Sequence, residues 1–89
     1  MPRQYKTSRN FDRILNKLQK KDKQLCENLM NKMNEIINNS DIEHYKNLKY
    51  GLKNYKRVHV GNFVIIFKYD KTNDFIFFDD FDHHDKIYK

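Results

Sequence analysis

The dipeptide Gly61-Asn62, set in the stretch KRVHVGNFVIIF from Lys56 to Phe67, constrains this chain more than any other feature. Two residues between two β-prone runs leave room only for the tight hairpin turns that need a positive φ, which glycine and asparagine accept. Such a turn sets the register of both strands. Val60 then faces Phe63, His59 faces Val64 and Val58 faces Ile65. Side chains alternate along a strand, so one sheet face collects Val58, Val60, Phe63, Ile65 and Phe67. The other collects Tyr55, Arg57, His59, Val64, Ile66 and Lys68. The apolar face needs a cover, whereas the second is expected to stand open, where Arg57 and His59 can keep their charge in water. By the same parity Lys56 falls on the covered side, near the start of its strand, with its stem expected to reach water.

The cover comes from earlier in the chain. Phe11, Ile14, Leu15 and Leu18 recur at three and four, the spacing of one helix face, with Ser8 or Asn10 as a cap. After Lys20-Lys21, Asp22 can cap a second helix whose apolar stripe is Leu25, Cys26, Leu29, Met30, Met33, Ile36 and Ile37. Before both, Gln4 to Ser8 alternates in the manner of a short edge strand. Asn38 to Asp41 ends the second helix, and Ile42 to Lys53 is a lysine-rich connection that Leu48 and Leu52 are expected to pin to the core. Strands follow over Tyr55 to Val60, Phe63 to Tyr69 and Phe75 to Phe81; the loop before the last leaves its faces unassigned. The final residues suit a tail or one helical turn. The expected architecture is α+β, in the order β-α-α-β-β-β, as one domain over residues 1–89.

Eighty-nine residues cannot enclose a deep pocket, so any site is expected to be an open surface. The lone cysteine, Cys26, cannot form an internal disulfide, and no run has the ~20 apolar residues of a membrane span or the core of a signal peptide. A cytoplasmic, membrane-free protein is the expectation. The net charge of +6 points to an anionic partner, nucleic acid or an acidic protein segment. The abundance of Lys, Asn, Ile, Tyr and Phe, all with AT-rich codons, keeps charge from deciding alone.

Four histidines, His44, His59, His83 and His84, lie among several carboxylates. The run DFDHHD offers metal ligands, but neighbours on an extended segment point apart and no HxxxH or CxxC spacing occurs, so no metal or other cofactor is expected. Cleavage of RNA through the ribose 2′-hydroxyl needs a base for that proton, an acid for the leaving 5′-oxygen and cations for the phosphate. Two histidines, each titrating near neutrality, can share the first two roles. His59, a C-terminal histidine, and Arg57, Lys46 and Lys68 supply such a set.

At these residues the chain resembles the RelE/ParE superfamily of toxins from type II toxin-antitoxin modules. The stretch LKYGLKNYKRVHVGNFVIIFKY is similar to the family's central block, HHDKIYK to its terminal motif, and the order of elements agrees over nearly the whole chain. The resemblance implies an antiparallel sheet with a helical hairpin on one face and, on the other, a groove for messenger RNA presented by the ribosome. It further implies an endoribonuclease, an mRNA interferase, whose partners are mRNA, the ribosome and a cognate antitoxin. Arg57 and His59 fall where RelE-type toxins place basic residues, and Val64 and His84 where they place arginines; Tyr88 is the terminal tyrosine. The histidine pattern is closer to the YafQ branch, whose strand histidine aligns with His59, whose later acidic residue aligns with Asn62, and whose C-terminal histidine aligns with His84. Its upstream histidine aligns with Lys46, beside His44.

The site so implied has His59, His84, Arg57 and Tyr88 as catalytic residues, with Lys46, Lys49, Lys53, Lys56, Lys68, His83 and His44 contacting RNA. Two other activities share the scaffold: a ParE-like inhibitor that binds DNA gyrase without cutting nucleic acid, and a catalytically inactive RNA-binding homologue.

Overall fold

The computed structural model describes residues 3–47 and 55–87. Leu48 and Leu52, expected to pin the connection, and the site residues Lys49, Lys53 and Tyr88 lie outside the described residues. Strand β1 (Gln4–Thr7) leads into helices α1 (Arg9–Lys21) and α2 (Lys23–Asn38), then a 3-10 turn (Ile42–His44), strands β2 (Tyr55–Val60), β3 (Phe63–Asp70) and β4 (Phe75–His83), and a single helical turn α3 (His84–Ile87). Ser8 caps α1, its hydroxyl accepting from the Phe11 amide, and Asp22 caps α2, its carboxylate accepting from the Leu25 amide. Both remove an orphaned helix donor.

The sheet runs β1-β4-β3-β2. The hairpin has the expected register, with Val60 opposite Phe63, His59 opposite Val64 and Val58 opposite Ile65. Gly61 supplies the positive φ, +59°. One expectation needs correction. β1 lies parallel to β4, pairing Gln4 with Phe75 through Thr7 with Phe78, so the sheet is mixed and not wholly antiparallel. The helical hairpin carries the chain across the sheet between β1 and the antiparallel unit, which is why β1 enters in that sense. A bulge where β4 passes Ile66 and Phe67 explains the faces of the last strand. Phe78 opposes Phe67 while Asp80 opposes Ile66, so Asp79 is the extra residue and Phe81 returns to the face that holds Ile76 and Phe78.

The core lies between helices and sheet. Phe11, Leu29, Met33, Ile36 and Ile37 meet Val60, Ile65, Phe67, Ile76, Phe78 and Phe81, with Ile42 and Tyr45 closing the end below the 3-10 turn. Phe11 stacks on Phe78 at 5.6 Å, and Tyr45 sets its edge against Phe67 at 5.9 Å. Met30, expected in the apolar stripe, is exposed. It sits one position off the buried face that Cys26, Leu29, Met33, Ile36 and Ile37 make. Among the described residues no helix is long and apolar enough to cross a membrane.

Lys56 also departs from expectation. It is buried on the helix side, opposite Phe67. Its Nζ donates to the Tyr45 carbonyl at 3.2 Å and to Asn47 Oδ1 at 3.1 Å, with Glu43 Oε2 3.7 Å away. The segment after the 3-10 turn folds alongside β2, Asn47 bridging Lys56 and the Arg57 amide donating to the Lys46 carbonyl at 2.9 Å, so the ammonium meets acceptors before it meets water.

Candidate active site

The second sheet face is only partly open. Val64 and Ile66 are buried there in a small cluster of their own, against Tyr55 and Ile87. The helical turn α3 doubles back over the centre of this face, contacting both β3 and β4. The middle of the face is therefore covered, and it is open toward its ends, one of them at the hairpin tip. Val64, where the resemblance places a phosphate-clamping arginine, is fully buried and cannot contact a ligand.

At that end the chain converges. The His84 amide donates to the Asn62 carbonyl at 2.8 Å, which fastens the start of α3 to the turn of the β2–β3 hairpin. His59, exposed near the end of β2, and His84 then face each other with ring centres 5.6 Å apart and planes inclined by 31°. A cleft of about 560 Å³ is lined by His59, Gly61, Asn62, His83, His84 and Asp85. His83 lays its ring edge against Phe63 at 5.4 Å, and Phe63 stacks on Phe81 at 5.2 Å. The Asp85 carboxylate has one oxygen 3.7 Å from His83 Nδ1 and the other 3.6 Å from His84 Nδ1.

The cations divide. Arg57 lies two residues before His59 on the same face, about 7 Å along the strand. Lys46 is exposed and, by the antiparallel bridge, sits opposite Arg57 on the outer edge of β2. Together they form a basic margin beside the histidine pair. Lys68 is exposed on this face, but it pairs with Tyr55 and holds its Nζ 4.6 Å from that ring's centre. Four residues separate it from Val64, the partner of His59, so it stands roughly 13 Å away along the sheet.

Of the residues read from the sequence, the structure thus brings together His59, His84 and His83, with Arg57 and Lys46 alongside. It does not bring in Lys56, whose ammonium is committed to Tyr45 and Asn47 inside the protein and is withdrawn from the RNA-contacting set. Nor does it bring in His44, whose ring packs, tilted by 36°, against Tyr45 at 4.2 Å with Nδ1 2.6 Å from the Asp41 carbonyl. Asp85 and the Gly61-Asn62 turn belong to the cleft without having been named for it. The signal for Asp85 was its place directly after two histidines.

A small mixed sheet backed by a helical hairpin, with α3 folded over the opposite face, defines an α+β protein with the RelE-like toxin fold. The fold matches that of the toxin-antitoxin complex RelBE2 from Mycobacterium tuberculosis, with a TM-score of 0.76 at 14% identity over 93% of this chain and 92% of that one. It also matches YafQ from E. coli, with a TM-score of 0.64 at 20% identity over 98% of this chain and 99% of that one. The sequence profile described as ParE toxin of type II toxin-antitoxin system, parDE, matches residues 5–88. A Methanocaldococcus jannaschii protein carrying the provisional name toxin RelE4 is 47% identical over 81 residues, 90% of this chain and 84% of that protein. The chain belongs to the RelE/ParE family of toxins of type II toxin-antitoxin systems.

Proposed function

We propose that this toxin is an endoribonuclease that cuts messenger RNA on the ribosome, without a metal, by acid-base chemistry between His59 and His84. The observation that carries the reading is the pair of rings, 5.6 Å apart in a solvent-open cleft. Both can approach oxygens of one phosphodiester at hydrogen-bonding distance, about 2.6–3.2 Å. One imidazole takes the 2′-hydroxyl proton as that oxygen attacks phosphorus, and the other gives a proton to the departing 5′-oxygen. Arg57 and Lys46 lie on the side where the charge of the pentavalent phosphate develops. Tyr88, the residue after Ile87, takes the role of stacking on or orienting a base.

Neutralisation falls to an antitoxin encoded beside the toxin, through an acidic amphipathic segment that suits a chain of charge +6. Structural relatives include toxins in complex with their antitoxins. The cleft lies on the cytoplasmic translation machinery in this reading, which makes ribosomal RNA a further contact.

A second reading is favoured by the ParE description of the matching profile: inhibition of DNA gyrase by binding alone. Induction of the toxin followed by primer extension on abundant messages separates the two. Breaks at fixed positions within codons, abolished in His59→Ala and His84→Ala, support the nuclease. Replication arrest with intact messages supports the gyrase reading.

A further inference from the structure

The cleft at the histidine pair does not end at His59. Between the edge strand β2 and helix α2 lies a second cleft of about 370 Å³, lined by Asn28, Asn31, Lys32 and Glu35 and by His59 and Gly61. The last two line both clefts, so the hollows share a boundary. Part of that boundary is bare backbone: a Cβ built on Gly61 would meet no atom within 4 Å, and a ligand can pass close over it. The α2 residues are spaced i, i+3, i+4 and i+7, which makes them one stripe of the helix. Leu29, Met33 and Ile36, buried in the core, fix the direction in which that stripe looks. Its charges cancel, because Lys32 Nζ lies 3.2 Å from Glu35 Oε1, and Glu35 also accepts from the Tyr45 hydroxyl at 3.3 Å. What remains is amide. Asn28 Oδ1 accepts from Gln24 Nε2 at 3.0 Å, which leaves its own N–H groups to donate. The Asn31 side chain is exposed and makes no hydrogen bond to another described residue, so it offers a donor and an acceptor together.

We propose that this second cleft is a nucleobase subsite: it takes the base of a nucleotide flanking the scissile phosphate, prefers adenine, and reads it through the Asn31 amide. The proposal rests on the nuclease reading of His59 and His84 and adds to it the part of the chain that sets sequence preference. A phosphate or an acidic peptide needs uncompensated positive charge, and Lys32 is already matched by Glu35. An unpaired base is neutral and carries donors and acceptors side by side along its edge, the partner that side-chain amides fit. Asparagine bonds adenine in both senses at once, donating to N7 and accepting from the N6 amine. Glu35 adds to the discrimination, since its remaining lone pairs accept from an amino group, whereas O4 of uracil would meet the carboxylate oxygen to oxygen.

The test uses the full chain labelled with 15N and two probes, 2′-O-methyl trinucleotides of adenine or of uracil, which lack the attacking hydroxyl and so bind without being cut. The adenine probe is expected to move the side-chain amide signals of Asn31 and Asn28, and the uracil probe to leave them nearly in place. Asn31→Ala is expected to melt with the parent, because the side chain is exposed on a helix, and to erase the difference between the probes. In a translating extract given messages that differ only in the flanking base, the parent cuts the adenine message about ten-fold faster, and Asn31→Ala cuts both at the lower rate. Asn31→Gln, which keeps an amide, retains part of the preference. Signals that move equally with both probes, or with neither, overturn the proposal, as does an undiminished preference in Asn31→Ala. Movement with a glutamate-rich peptide and not with the trinucleotides makes the cleft a protein-docking site and overturns it too. Should the parent leave every message intact, the nuclease reading falls, while the probe shifts still decide whether the cleft takes a base.

Discussion

Replacing Lys56 with methionine separates structure from substrate contact at the one buried lysine of the hairpin. Methionine has nearly the same length and keeps the packing of the stem against the helix side. It removes the donor that serves the Tyr45 carbonyl at 3.2 Å inside the protein, and a buried acceptor left unsatisfied costs about 1–3 kcal/mol. The other two partners matter less. Asn47 is exposed and water replaces the lysine there. Glu43, at 3.7 Å and 60% exposed, belongs to the class of ion pairs worth about 0–1 kcal/mol. The ammonium no longer has to be desolvated, which offsets part of the loss. The balance is a destabilisation of about 2 kcal/mol, or about 8–16 °C in melting temperature for a domain of this size. Lys56→Ala also removes three buried methylenes, roughly 2 kcal/mol more. Thermal unfolding followed by circular dichroism measures both, and message cleavage assayed well below either midpoint is expected to stay at the parent level. A Lys56→Met protein that melts within a degree or two of the parent yet no longer cuts RNA would refute the reasoning, since the side chain would then have to reach water and substrate.

Three further outcomes follow from the same geometry. Gly61→Ala costs about 1–2 kcal/mol through its φ of +59° alone, because a Cβ there meets nothing within 4 Å, whereas Gly61→Asn costs far less; urea midpoints of the two variants decide it. Val64→Arg restores the family's arginine but places a charge under Ile87 and Tyr55, so it destabilises by about 3 kcal/mol and brings no gain in cleavage. Asp74 accepts from Tyr69 and Arg3, each at 2.7 Å, and these bonds hold its carboxyl below the usual carboxylate range, the Tyr69 bond contributing most. A lowered folded-state pKa gives stability that is present at neutral pH and lost as pH falls through that value. Asp74→Asn, which tolerates the positive φ of this position, is therefore expected to melt below the parent at about pH 7, with the gap narrowing as acid carries the pH below the usual carboxylate range.

What the sequence disclosed was local. The Gly61-Asn62 turn carried the hairpin register, the positions of Arg57 and His59, and the division of β2 and β3 into two faces. Asp22 marked the start of the second helix, and Ser8, read as a candidate together with Asn10, proved to be the cap of the first, because a cap needs only its own helix. The misses were non-local. The parallel pairing of β1 with β4 joins residues some seventy positions apart, and nothing in a four-residue strand names its partner. Parity placed Lys56 on the helix side correctly, but it could not show that residues after the 3-10 turn would fold alongside β2 and supply acceptors. The bulge at Asp79 broke the alternation that would have sorted Phe75 to Phe81. Val64 and Ile66 read as surface because their cover, Ile87, comes from a terminal turn whose path depends on the contact between His84 and Asn62. That same contact makes the cleft, so the residues bringing His59 and His84 together were legible while the device that does so was not.

The chemistry of the cut ends tests the nuclease account most directly. When the purified toxin is added to a translating extract, attack by the ribose 2′-hydroxyl leaves a 2′,3′-cyclic phosphate on one fragment and a 5′-hydroxyl on the other. His59→Ala and His84→Ala, both exposed and so expected to melt with the parent, each lower the yield of these ends by about 10²–10⁴-fold. Fragments ending in a 3′-hydroxyl and a 5′-phosphate, or undiminished cleavage by the double variant, would contradict it.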